Sequence, residues 1–241
     1  MVSILLPLYI YPTAGSWEPL LSVAQSHPGI SFTVVVNPNN GPGTTPLPDD
    51  NYVEALASFK SLPNVHLIGY VCCYYGDRDT DLIEDDIYIY SQWESELATL
   101  GQTGVSVDGI FFDEVPAEVE YGGSTVIFNP GVIVDEAFYS QADLVVAFED
   151  TELNLDDFLE ASDDLSAQNR AKSAAIVHTY QGTAEGLADL VDEIREAGLG
   201  GVFVTDQTGG VYNEWPDWWD SLIEIVRVFP DTVATKLKTL K

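Results

Sequence analysis

Short runs of β-branched and aromatic residues recur about eight times along this chain, with helix-patterned stretches between them. That alternation restricts its fold more than any other feature. The runs are apolar at successive positions rather than at every second one, so each strand must be covered on both faces, as in a parallel sheet. Parallel neighbours need a crossover, and right-handed βα crossovers repeated eight times close on themselves. The expected strands are 4–11, 30–37, 65–72, 107–113, 125–129, 144–149, 174–179 and 201–205. The expected helices are 17–25, 52–61, 87–100, 155–163, 184–197 and 218–228, with Gly198 as a C-terminal cap. A chain of 241 residues, 46% of them hydrophobic, suits one such unit. The prediction is an α/β fold, a single (β/α)8 TIM barrel over 1–230 with a C-terminal tail at 231–241. Segments 115–124 and 131–143 are too short for full barrel helices, so one or two outer helices should be reduced.

Active sites of such barrels lie at the C-terminal ends of the strands, so the polar residues that close each apolar run are the informative ones. Here they are Tyr9 and Tyr11, Asn37, Tyr70 and Tyr74, Asp113 and Glu114, Asn129, Glu149, His178 and Tyr180, and Asp206. Aromatic rings stack on sugar faces, and amides and acids bond hydroxyls. No basic cluster is present to hold a phosphate, so a neutral polyhydroxylated ligand fits best. Asn39, near Asn37 in a glycine-containing loop, is a further candidate donor to a sugar, although turn chemistry explains both residues equally. Arg78 could pin a neighbouring carboxylate.

The run DGIFFDE, at 108–114, is the sharpest local signal. Two carboxylates directly after a hydrophobic strand have to be solvated, paired or functional. Strand alternation points neighbours to opposite faces, so at most one of Asp113 and Glu114 need enter a pocket. Glu149 closes a second apolar run two strands later and could face Asp113 across the barrel mouth. Glycoside hydrolysis requires two such carboxyls, one ionised and one holding a proton.

Other features exclude alternatives. Nine Lys and Arg against 39 Asp and Glu leave a net charge of -30, which repels nucleic acid and anionic membranes and points to an acidic, salty or extracellular setting. Lys60 and Lys172 fall away from strand ends, which disfavours a Schiff-base aldolase. The acidic stretch from Asp77 to Asp86 lacks the glycine and final glutamate of an EF-hand and reads as a solvated helix start. His27, His66 and His178 have no metal-ligand spacing, so no metal or cofactor is expected. The apolar segment 3–12 contains prolines and is too short to span a bilayer. Cys72 and Cys73 are adjacent, which excludes a disulfide framework and leaves two buried thiols. Trp215, Trp218 and Trp219 are expected to anchor the closing helix against the barrel.

The opening PLYIYP and the motifs NPNNGPG, GYVCCYYGDRD, DGIFFDE, VIFNPG and ADLVVAFE, each at a strand end, together resemble the spherulin-type, or spherulation-specific, family from about Pro7 to Trp219. The resemblance implies a secreted (β/α)8 glycoside hydrolase, endo-acting, that cuts an N-acetylgalactosamine-containing, α-1,4-linked exopolysaccharide of the galactosaminogalactan kind. No signal peptide is visible in this chain, and a cytoplasmic location is the alternative. It implies a polysaccharide or oligosaccharide partner, with a monomer expected. Carried onto this sequence, the family's acidic pair falls on Asp113 and Glu114 and its later acid on Glu149. Asp113 is then nucleophile or charge stabiliser, Glu149 general acid/base and Glu114 a tuning neighbour, the first two roles being exchangeable. The family commonly has a hydroxyl or imidazole residue after Gly-Tyr-Val, where this chain has Cys72 and Cys73. A barrel that binds carbohydrate without cleaving it, or one with a developmental or structural role, is the alternative function.

Overall fold

The computed structural model describes residues 2–101, 105–115 and 125–228. Eight parallel strands close into a barrel in sequence order. They are β1 (Ser3–Leu8), β2 (Phe32–Val36), β3 (Val65–Cys72), β4 (Gly109–Asp113), β5 (Val126–Asn129), β6 (Leu144–Thr151), β7 (Ser173–His178) and β8 (Gly201–Val204). The ring is completed by Ser3 and Ile4 of β1 alongside Gly201 and Val202 of β8. Every strand is largely buried, which explains the continuous apolar runs.

Among the described residues eight α-helices form the outer layer: α1 (Glu18–Ser26), α2 (Asp50–Phe59), α3 (Thr80–Thr99), α4 (Glu136–Gln141), α5 (Leu155–Ser162), α6 (Ala167–Ala171), α7 (Ala184–Glu196) and α8 (Trp219–Val228). Helix α3 begins seven residues before its expected start. Asp79 caps it by accepting from the Asp81 N–H at 3.0 Å, and the acids that follow lie where the helix dipole favours negative charge. The β5–β6 connection carries only the six-residue α4, a reduced outer helix as expected, whereas α6 was not foreseen. Most of the β4–β5 connection and the whole tail 231–241 lie outside the described residues. Strand β1 ends at Leu8, three residues early, because the Tyr9 N–H turns away to the Tyr212 carbonyl at 3.2 Å.

The helix layer fixes the strand ends. The Tyr90 ring of α3 lies flat over Gly69 of β3, where any Cβ would be 2.8 Å from it, and its hydroxyl donates to the Tyr70 carbonyl at 3.0 Å. The tryptophans act as anchors: Trp219 packs on Trp215 and Phe32, and Trp218 packs edge-on to Tyr180. Cys72 and Cys73 are both buried. Gly198 follows α7 with φ +86°, as its capping role requires. Among the described residues no helix is long and apolar enough to cross a membrane.

Candidate active site

Three neighbouring strands bring two carboxylates and an amide together at the C-terminal mouth of the barrel. Asp113 and Asn129 end β4 and β5 and are register partners, and Glu149 lies near the end of β6. The Asn129 side-chain nitrogen donates to Asp113 Oδ1 at 2.9 Å and to Glu149 Oε2 at 2.6 Å, which uses both of its hydrogens. Those two oxygens are therefore at most 5.5 Å apart, the two bonds of 2.9 Å and 2.6 Å laid end to end. Asn129 Oδ1 accepts from the Gly131 N–H at 3.1 Å, which turns the amide nitrogen toward the acids.

Each acid has a tyrosine of its own. The Tyr70 hydroxyl donates to Asp113 Oδ2 at 2.8 Å and the Tyr212 hydroxyl to Glu149 Oε1 at 2.5 Å. The Glu114 N–H adds a third donor to Asp113, at 3.0 Å from Oδ1. The Tyr9 ring stands between the two tyrosines, with centroids 5.6 Å from Tyr70 and 5.9 Å from Tyr212, and keys them together. Burial and the adjoining carboxylates push the hydroxyls of Tyr70 and Tyr212 well above their ordinary range, so both stay protonated as donors.

Burial pushes Asp113 from the ordinary 3.8 up to about 6; donation from Tyr70 opposes the rise, and repulsion from Glu149 adds to it. Asp113 therefore holds its proton up to about pH 6.

A bulge aims Glu149. In β6, Val146 is beside Ala174 of β7 but Phe148 is beside Ala175, so Ala147 is an extra residue and the alternation changes phase there. Phe148 then faces outward, 4.9 Å from the Phe158 ring of α5, and Glu149 shares the inward face with Ile176. Backbone strain gathers at the same end of the barrel. Among the described residues the non-glycine positions with left-handed φ are Asn40, Tyr74, Tyr75, Glu114, Thr179 and Tyr212, all in connections that follow strand C-termini.

Over this floor opens a cleft of about 490 Å³, lined by Tyr75, Asp113, Glu114, Asn129, Val132, Glu149, His178 and the Thr208–Gly209–Gly210 turn. Both members of the Asp113–Glu114 pair line it. Glu114, at φ +53°, escapes the strand alternation that would have turned it away, and its Oε2 accepts from the Cys72 thiol at 3.1 Å. Burial, and then that carboxylate, raise the Cys72 thiol to about 11, so it stays protonated. The His178 ring lies against Gly209, where a Cβ would come within 2.6 Å of it. Among the described residues no group of three or more His, Cys, Asp or Glu is placed to hold a metal ion.

Other expected site residues take supporting positions. Asn37 closes its own loop by accepting from the Gly41 N–H, and Asn39 lies exposed on that loop. Arg78 pairs with Asp86 at 2.7 Å and donates to the Cys72 carbonyl, so it ties α3 to the end of β3 and does not pair with Asp113 or Glu149. Asp206 accepts from the Asp217 N–H ahead of α8, away from the cleft. Tyr74 lies outside the cleft, its hydroxyl accepting from Asn40, and its neighbour Tyr75 lines it instead. Sequence reasoning missed Tyr212; the signal available was an aromatic residue just after the Gly209–Gly210 pair in the β8 connection.

Comparison with known proteins adds three findings. A family model described as "Spherulation-specific family 4" matches residues 3–123 and 119–226. The crystal structure of Aspergillus clavatus Sph3 in complex with GalNAc superposes with a TM-score of 0.84 at 30% identity, over 94% of this chain and 97% of that one. A chitinase from Bacteroides thetaiotaomicron superposes with a TM-score of 0.53 over 94% and 96% of the two chains, at 8% identity, a likeness of fold alone. No curated protein matches.

Proposed function

Because this chain belongs to spherulation-specific family 4, we propose that it is a glycoside hydrolase acting at internal bonds of an α-1,4-linked, N-acetylgalactosamine-containing exopolysaccharide. The observation that carries the reading is the amide bridge, which keeps the two carboxylate oxygens within 5.5 Å, the 2.9 Å and 2.6 Å bonds laid end to end. Retaining glycosidases place their carboxyls about 5–5.5 Å apart, and inverting ones roughly 6.5–9.5 Å, to admit a water. The spacing supports a double displacement. The GalNAc bound by Sph3, the 30% identical relative, supports the sugar.

Asp113 accepts three donors that fix its orientation, which suits the nucleophile. It attacks the anomeric carbon as Glu149 gives a proton to the departing glycosidic oxygen, leaving a glycosyl ester on Asp113. Glu149 then takes a proton from water, which attacks the same carbon and releases Asp113. The tyrosines and Asn129 hold both acids in place, so little reorganisation remains for the reaction itself.

The test is reducing-end release from α-1,4-linked N-acetylgalactosamine polymer by wild type, Asp113→Asn and Glu149→Gln, with melts to verify folding and NMR to identify the first-formed anomer. Release by wild type with a retained anomer, lost in both folded variants, is expected. Binding without release would overturn the proposal in favour of a sugar-binding barrel.

A further inference from the structure

We propose that Tyr75 is a sugar-stacking platform on the Asp113–Glu114 side of the cleft, binding the apolar face of a hexopyranose unit next to the one being cleaved; this rests on the glycoside hydrolase reading above. The ring is 69% exposed yet lines the cleft. Its backbone has φ +53°, in the left-handed region, which a bulky side chain adopts only under strain. The strain is built in. The Tyr75 N–H donates to the Glu114 carbonyl at 2.6 Å, and Glu114 is itself left-handed, so the two strained residues hold each other between β3 and β4. Folding gains little in return. Among the described residues no other aromatic ring packs on Tyr75, whereas Tyr9, Tyr70, Tyr90 and Tyr212 all have ring partners.

An exposed ring held in a costly conformation over a reactive floor is explained by a ligand that covers it. Its position follows from the lining and from its backbone bond to Glu114, which sets the residue on the Asp113–Glu114 side. The floor beneath is polar, and the exposed Val132, near the start of the β5–β6 connection, offers a second apolar contact on the same cleft. A pyranose with one C–H face and hydroxyls around its edge matches both. Tyr74 does not compete for the role, because it lies outside the cleft and its hydroxyl is engaged by Asn40.

The experiment measures binding of α-1,4-linked N-acetylgalactosamine oligomers by calorimetry in the Glu149→Gln background, with Tyr75 intact or changed to Ala, Phe or Trp. Cleavage by the same Tyr75 variants with Glu149 intact runs in parallel. A stacking role predicts that Tyr75→Ala weakens binding about tenfold or more and raises KM more than it lowers kcat, that Phe and Trp stay near wild type, and that Tyr75→Ala melts at or above the wild-type temperature. Unchanged binding by Tyr75→Ala, alongside normal cleavage by wild type, would overturn this inference and leave the hydrolase reading intact. Weaker binding accompanied by a clear loss of melting temperature would make the ring structural and also overturn it. A wild type that neither binds nor cleaves would remove both.

Discussion

Replacing Tyr70 with Phe isolates one hydrogen bond and leaves the packing in place. The ring keeps its contacts with Tyr9 and Phe111, and only the hydroxyl that donates to Asp113 Oδ2 is lost. That bond favours the ionised carboxylate and opposes the rise caused by burial, so its removal must raise the pKa. A hydrogen bond to a charged acceptor is worth about 1.5–3 kcal/mol, and 1.36 kcal/mol moves a pKa by one unit, so the expected shift is about one to two units. Asp113 would rise from about 6 to about 7–8. In the proposed mechanism Asp113 must be ionised to attack, so kcat/KM falls as pH drops below its pKa. Rate profiles from pH 4 to 9 at constant ionic strength should therefore show the acid limb displaced to higher pH in Tyr70→Phe, with the maximum lowered because Asp113 is held less firmly. An acid limb that stayed in place or moved to lower pH would refute the reasoning.

Three further outcomes follow from the geometry. Asp113 is raised from 3.8 to about 6 in the folded chain, so its contribution to stability is present below 3.8 and lost as pH rises through 6. Asp113→Asn should accordingly be more stable than wild type at pH 8, by up to about 3 kcal/mol in denaturant titrations, with the difference vanishing near pH 4; a variant less stable at pH 8 would contradict this. Gly209→Ala would put a methyl 2.6 Å from the His178 ring, so KM should rise several-fold. If the loss acts through His178, adding the change to His178→Ala should do nothing further, and additive losses in that double-mutant cycle would exclude the route. With a net charge of -30, the melting temperature should climb between 0.1 M and 1 M NaCl as the screening length shortens from about 10 Å to about 3 Å; a flat or falling trend would mean self-repulsion is unimportant.

The barrel was legible because its strands are nearly continuous apolar runs, and β3 matches its expected bounds at both ends. Asp113, Asn129 and Glu149 were legible as polar residues that close such runs. Their mutual arrangement was not. Strict alternation from Leu144 puts Val146 and Phe148 on the inner face and turns Glu149 toward the helices; only the bulge at Ala147 reverses this, and a bulge leaves little trace in a strand of small and branched residues. Glu114 escaped the same rule through a left-handed backbone that no local pattern announces. Tyr212 comes from a long connection, where position depends on tertiary packing and not on periodicity.

The left-handed residues along the mouth also have a consequence for engineering. Glycine adopts that conformation without penalty, so a screen for heat resistance would recover glycine replacements at this end of the barrel. At Asn40, exposed and outside the cleft, such a replacement should come free. At Tyr75 or Glu114 it would yield a sturdier protein and, on the proposed function, a poorer catalyst. The mouth of this barrel is thus where selection for endurance and selection for turnover would pull the same codons in opposite directions.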